Sequence, residues 1–322
     1  MPDLDSISIL TLWTAIAIYA GAFIAYAFDL ARRSSAPVVE EKALVAAGGA
    51  DAHGAIASPY EAAAAAKGPF VMARIGTALM VLGWLFHLTA TVTRGVAAGR
   101  VPWANLYEFA MIGTLLIVLV YLIMLTRIDL RYLGTFISGL VVVLLGAGAA
   151  NFYVIVTPLV DPLKSVWLVI HVFVASLSVG ILALAFALSV VQLLQARRER
   201  RIAEGAERPG PGFLRTLPEA SRLENLAYRF TVVGFIFWTF TLIAGAIWAQ
   251  DAWGRYWGFD VKETWTFIIW VLYAGYIHAR ATRGWRGTPS AWLSITGFAA
   301  VIFNFTIVNV FFKGLHAYSG LS

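Results

Sequence analysis

The chain has 322 residues, of which 60% are hydrophobic, 14% aromatic and only 13% charged, with a formal charge of +6 and no cysteine. A soluble domain is about a quarter charged and could not hide this much apolar surface in a core of its own, so the bilayer has to act as part of the solvent. The missing cysteines exclude disulfides, thiolate metal sites and thiol redox chemistry, and the positive charge reads as membrane topology rather than nucleic-acid binding.

The first apolar run, 7–28, follows Asp3 and Asp5 instead of a basic segment and is too long for the core of a cleaved leader, so it reads as a transmembrane helix. About eight runs come near the roughly 20 residues needed to cross the hydrocarbon: 7–28, 69–93, 107–126, 132–151, 165–194, 228–249, 263–280 and 289–312. The Ala/Gly-rich stretch 34–68 and the Arg- and Pro/Gly-rich stretch 195–225 read as linkers. Only helices or closed barrels satisfy the backbone in lipid, and runs this long exclude the barrel. The expected fold is therefore all-α, a polytopic integral membrane helical bundle with about eight transmembrane helices. If the N-terminus lies outside, 18 of the 24 Lys and Arg fall in inner segments and 6 in outer ones, the asymmetry that sets orientation. Both termini then face the outer, extracytoplasmic side.

The most distinctive outer segment runs from Trp248 to Trp265. It gathers Trp248, Trp253, Tyr256, Trp257, Phe259 and Trp265 around Asp260, Lys262 and Glu263. A large planar ligand needs such a floor of rings with a few orienting polar groups, and an interfacial aromatic belt has the same composition. Asp260 and Glu263 also suit the N-terminus of a helix. Lys262 and Arg255 are placed either as surface charges or as partners for a ligand's carboxylates. Four of the five histidines, His87, His171, His278 and His316, lie in or beside spans, where an imidazole is costly unless paired or functional. The fifth, His53, falls in the first linker. His171 and His316 flank the aromatic segment on one side of the membrane and suit an axial pair for haem iron. At 1.5 Å per residue, His87 lies about 9 Å below residue 93 and His278 about 22 Å below residue 263, too different in depth for one iron.

These features together resemble the CcsA/ResC family of system II cytochrome c biogenesis, within the haem-handling group named for a tryptophan-rich WWD loop. The likeness is carried by Trp253-Gly-Arg-Tyr-Trp-Gly-Phe-Asp-Val-Lys-Glu-Thr-Trp265, Trp270, Tyr273 and Tyr276-Ile-His278. It continues in Phe86-His87, Asn105-Leu-Tyr-Glu108, Trp167-Leu-Val-Ile-His171, Leu226-Ala-Tyr-Arg229, Gly234-Phe235 and the stretch Phe311 to Gly320. It covers roughly residues 70–320. The family often has Trp at Phe259 and Pro at Val261; Phe keeps the stacking face and loses the indole N–H. The resemblance implies a division into residues 1–69, a first transmembrane helix with a cytoplasmic linker, and 70–322, the haem-handling domain with an external loop at about 248–265.

The resemblance further implies a holocytochrome c synthase, or haem lyase, that forms thioethers between haem and the Cys-x-x-Cys-His of apocytochrome c on the outer face of the membrane. The ligand set carried over is His171 and His316 outside, with His87 and His278 within the membrane; Trp253, Tyr256, Trp257, Phe259, Asp260 and Trp265 form the loop around non-covalently bound haem b. A CcsB/ResB-type membrane protein is the implied partner, beside a thiol-reducing thioredoxin-like protein, in a bacterial plasma membrane or a thylakoid. The role of Glu108 is not assigned. Three other readings stay open: a chaperone or exporter that presents haem to a separate carrier, an exporter with no ligase role, and a transporter whose aromatic loop is only a belt.

Overall fold

The computed structural model describes residues 3–35, 71–156, 164–206, 210–312 and 314–315. Among these residues there are nine α-helices and no strand. They are α1 Leu4–Ser35, α2 Val71–Ala98, α3 Leu106–Leu125, α4 Gly134–Asn151, α5 Val166–Ala203, α6 Ala220–Trp253, α7 Val261–Arg283, α8 Thr288–Phe305 and the short α9 Ile307–Phe311. Seven described segments are long and apolar enough to cross a membrane, as a polytopic helical membrane protein requires. The expected span 263–280 does form a helix, α7, of 23 residues, but it is not among those seven. Its Thr, Trp, Tyr and His side chains lower its apolarity, and several turn their polar tips into the bundle. Trp270 Nε1 donates to Thr239 Oγ1 on α6 at 3.0 Å, and Tyr273 and Tyr276 are fully buried.

The helix ends follow local chemistry. Asn105 caps α3 by accepting from Glu108 N, and Ser165 caps α5 by accepting from Trp167 N. Asp260 and Glu263 form a capping box at the start of α7, which settles their first role. α6 stops at Gly254, where φ is 71°, a left-handed conformation that costs glycine nothing. Inside the helices, buried hydroxyls bond to the carbonyl one turn back, as Thr114 to Ala110 and Thr231 to Ala227, which satisfies them without water.

α1 packs along α2 and α4; α3 bridges to α5; α5 and α6 run together; α7 and α8 close the far side. Polar contacts show which helix ends share a level. At one end Arg94 of α2 meets Asp5 before α1's first full turn, Glu108 of α3 and the Val154 carbonyl, while Ser165 before α5 donates to Asp251 of α6. At the opposite end Arg280 of α7 pairs with Glu224 of α6, and Glu199 of α5 accepts from Ala220 N. The helices therefore alternate in direction. Buried apolar residues divide into two clusters. The larger fills the bundle, and the smaller joins Trp103, Ile112, Leu116, Leu168, Val172 and Trp248 at the first end.

Candidate functional site

A groove opens at that first end, between α3, α5, α6, α7 and α8, with about 1270 Å³ of empty space including its mouth. Apolar side chains make up most of its lining, the usual character of a small-molecule site. His171 lines it, five residues into α5 and so about 8 Å from that helix's start by the helical rise. Its Nδ1 lies 2.9 Å from the Thr241 carbonyl, and a carbonyl can only accept, so Nδ1 carries the proton and the lone pair sits on Nε2. The ring stacks on Trp248 at 5.9 Å between centroids and 21° between planes. This approach exists because residue 245 is glycine: a Cβ there would lie 2.7 Å from His171 Cε1.

The aromatic segment splits by role. Trp248 is buried in the small cluster and supports Trp253 edge-on at 4.8 Å. Tyr256 and Trp257 line the groove from the α6–α7 loop. Phe259 does not line it. Its φ is 59°, uncommon for a bulky residue, and its ring is 80% exposed. Trp265 turns the other way and packs against Phe303 of α8 at 4.5 Å. Asp260 caps α7 and also accepts from Leu315 N at 3.0 Å, which fastens the chain after α9 to the loop.

The groove's far end is polar. Lys262 Nζ donates to Asn309 Oδ1, while Asn309 Nδ2 donates to the Phe305 carbonyl. Asn304 is 7% exposed and its Oδ1 has no hydrogen-bond partner. Glu263 Oε2 accepts from Gly258 N and Asp260 N, and Oε1 faces Arg255 at 3.6 Å. Thr241, Gly245, Asn304 and Asn309 were not singled out from sequence; the small-residue run Ala244-Gly245-Ala246, one helical turn from Trp248, was the available signal for the first two.

His316 lies outside the described residues, directly after Leu315. The structure does not bring His87 and His278 together. His87 is fully buried on α2, with Nδ1 3.4 Å from Tyr19 Oη of α1 and Nε2 without a partner. His278 is exposed on α7, five residues from its end, on a helix that packs against α6 and α8 rather than α2. Among the described residues no group of three or more His, Asp or Glu side chains is placed to hold a bare metal ion.

Glu108, unassigned from sequence, is the centre of a buried ion cluster beside the groove. It accepts from Arg94 Nε at 3.0 Å, Arg100 Nη1 at 2.7 Å and Ala104 N at 2.8 Å, and Arg94 also reaches Asp5 at 2.6 Å. Arg94 and Glu108 have no exposed side-chain surface. Arg94 is a helical residue whose charge is matched inside the protein. The cluster holds the turn that carries Trp103 into the small core behind His171.

The chain is similar along most of its length to known proteins. A family model described as "Cytochrome C assembly protein" matches residues 103–316. The cytochrome c biogenesis protein CcsA of Guillardia theta is 34% identical over 244 residues, covering 71% of this chain and 80% of that one. The CcsA of Synechococcus elongatus is 34% identical over 285 residues, covering 76% and 87%, and that of Nostoc punctiforme 32% over 314 residues, covering 77% and 89%. Among solved structures, one named cytochrome c haem lyase CcmF matches with a TM-score of 0.62 at 18% identity, over 95% of this chain and 47% of that one. This chain thus spans about half of that lyase, and the likeness is one of fold. From the matched residues and the relatives' identities, the chain belongs to the cytochrome c assembly protein family.

Proposed function

We propose that this protein holds haem b non-covalently in the groove, with His171 Nε2 on the iron, and presents it to an apocytochrome c for covalent attachment. The observation that supports this most is the imidazole itself: stacked on Trp248, fixed in one tautomer by the Thr241 carbonyl, and facing a largely apolar groove. His316 is proposed as the second axial ligand, since its neighbour Leu315 is tied to Asp260 at the groove's edge. His87 and His278, on helices that do not pack together, are left out of this ligand pair. Trp253 backs the site, and Tyr256 and Trp257 form its loop wall.

The attachment needs no redox partner of its own. Each thiol of Cys-x-x-Cys-His adds across one vinyl group, forming a C–S bond while the thiol proton goes to the other vinyl carbon. This chain contributes position and control of the iron's ligands. It has no cysteine to compete for the vinyls. A CcsB/ResB-type membrane protein is the proposed second half of the active unit, and a thioredoxin-like protein the source of reduced client thiols. The charge asymmetry of the loops supports placing the groove on the outer face of a bacterial plasma or thylakoid membrane, with both termini outside.

The test is an absorbance spectrum of the detergent-purified protein, wild type beside His171→Ala/His316→Ala, oxidised and dithionite-reduced. Sharp low-spin bands in wild type that vanish or broaden in the double variant support the ligand pair. Identical haem in both refutes it. Thioether-linked cytochrome formed when this chain and its partner are the only biogenesis factors separates synthase from exporter or chaperone.

A further inference from the structure

We infer that the polar end of the groove is a carboxylate subsite, in which Lys262, flanked by Asn309 and Asn304, binds one acidic side chain of the ligand. This rests on the reading that haem occupies the groove. Lys262 lines the cavity, and the acceptor of its ammonium is a neutral amide, Asn309 Oδ1. That amide is held in orientation because Asn309 Nδ2 is spent on the Phe305 carbonyl. No carboxylate of the described residues comes within 4.0 Å of Lys262 Nζ; the ion pairs found there join Arg94, Arg100, Arg131, Arg200, Arg255 and Arg280 to acids.

The one carboxylate on the groove wall cannot serve Lys262. Glu263 is engaged by Gly258 N, Asp260 N and Arg255. A cation drawn out of water is costly, and such charges are normally paired; Asp260 acts on Lys262 only through space, its oxygens accepting from the backbone N–H groups of Lys262 and Leu315. Beside it, Asn304 is more than nine-tenths buried, lines the same cavity and leaves its Oδ1 without a partner. Exchanging its amide oxygen and nitrogen, which are alike in shape, turns that unused acceptor into a donor. The cavity lining then offers one ammonium and one amide N–H, donor types that a carboxylate oxygen pair accepts.

Haem carries its two propionates on adjacent pyrroles and its vinyls on the other two. Holding one propionate at Lys262 therefore fixes the rotation of the macrocycle about the His171–iron axis and points the vinyl edge the opposite way. Lys262 is in this sense a positioning residue for the reacting groups as well as a binding one.

The experiment compares haem with its dimethyl ester, which has the same macrocycle and iron but no carboxylates. Both are titrated by absorbance into the full chain co-purified with its membrane partner, as wild type, Lys262→Gln and Lys262→Arg. The expected result is haem binding weakened about tenfold or more by Lys262→Gln, about 1.4 kcal/mol. The ester should bind wild type and variant alike, and Lys262→Arg should stay within a few-fold of wild type for haem. A haem-to-ester affinity ratio unchanged by Lys262→Gln overturns the subsite. Equal loss of both ligands assigns Lys262 to the fold and also overturns it. If wild type binds neither ligand, the haem reading of the groove falls and the subsite with it.

Discussion

Replacing Glu108 by Gln keeps the side-chain volume and removes one charge. In the native cluster Arg94 and Arg100 are balanced by Glu108 and Asp5, with Arg94 and Glu108 wholly buried and Arg100 nearly so. After Glu108→Gln, two guanidiniums share the single carboxylate of Asp5, and the amide N–H₂ points donors at donors. Removing one partner of a buried pair costs about 3–5 kcal/mol, because the other charge stays buried. With an unfolding entropy of about 2.1 cal/mol/K per residue, that corresponds to a fall in Tm of roughly 4–8 °C. Thermal unfolding in detergent, followed by circular dichroism, reads the shift. The double variant Arg100→Leu/Glu108→Leu leaves Arg94 and Asp5 as a neutral pair, so it should be more stable than Glu108→Leu alone, a coupling that only interacting residues produce. A Tm within about 1 °C of wild type for Glu108→Gln, well short of the shift expected for a buried pair, would refute the account. So would strict additivity in the pair.

Three further outcomes follow from the geometry. Gly245→Ala places a methyl 2.7 Å from His171 Cε1, so it should weaken or broaden the haem bands as His171→Ala does while helix content stays at the wild-type level; a native spectrum contradicts the close approach. His87→Leu with Tyr19→Phe removes both partners of a long hydrogen bond and should leave stability within about 1 kcal/mol and haem content unaltered, whereas loss of haem would return His87 to the ligand set. Phe259→Asn substitutes a residue that tolerates the left-handed conformation at an exposed position. Melting curves should show it no less stable than wild type and up to about 1 kcal/mol more so; a lower Tm would mean that the ring is packed in the folded protein.

Much of this was legible in the residues because lipid imposes a simple rule. A run of about 20 apolar residues has few other uses, and each expected span overlaps an observed helix, running past its ends by two residues at most, with the last span divided between α8 and α9. Asp260 and Glu263 were legible as residues suited to a helix N-terminus, where they form a capping box, and His171 as a residue beside the aromatic segment. What stayed hidden depends on contacts between distant parts of the chain. Arg94 sits among loop charges in the sequence, yet its partners Asp5, Glu108 and Val154 are supplied by three other segments. Glycine at 245 is one small residue among several in α6, and only the approach of His171 from α5 gives it meaning. Phe259 carries no local signal for a left-handed backbone, since the turn after Gly258 imposes it. Trp265 belongs to the aromatic segment by position and to the α7–α8 interface by packing.

The division of the apolar interior into two clusters has a kinetic consequence. Trp103, Leu168, Val172 and Trp248 belong to the small cluster at the groove end, separate from the core that holds the bundle together. Opening free energies within one protein range from near zero to the global value, and contiguous units open on their own. Breathing at the groove can then occur while the helices stay locked in the membrane. Leu168, Val172 and Trp248, which also line the groove, can move without loosening the core of the bundle.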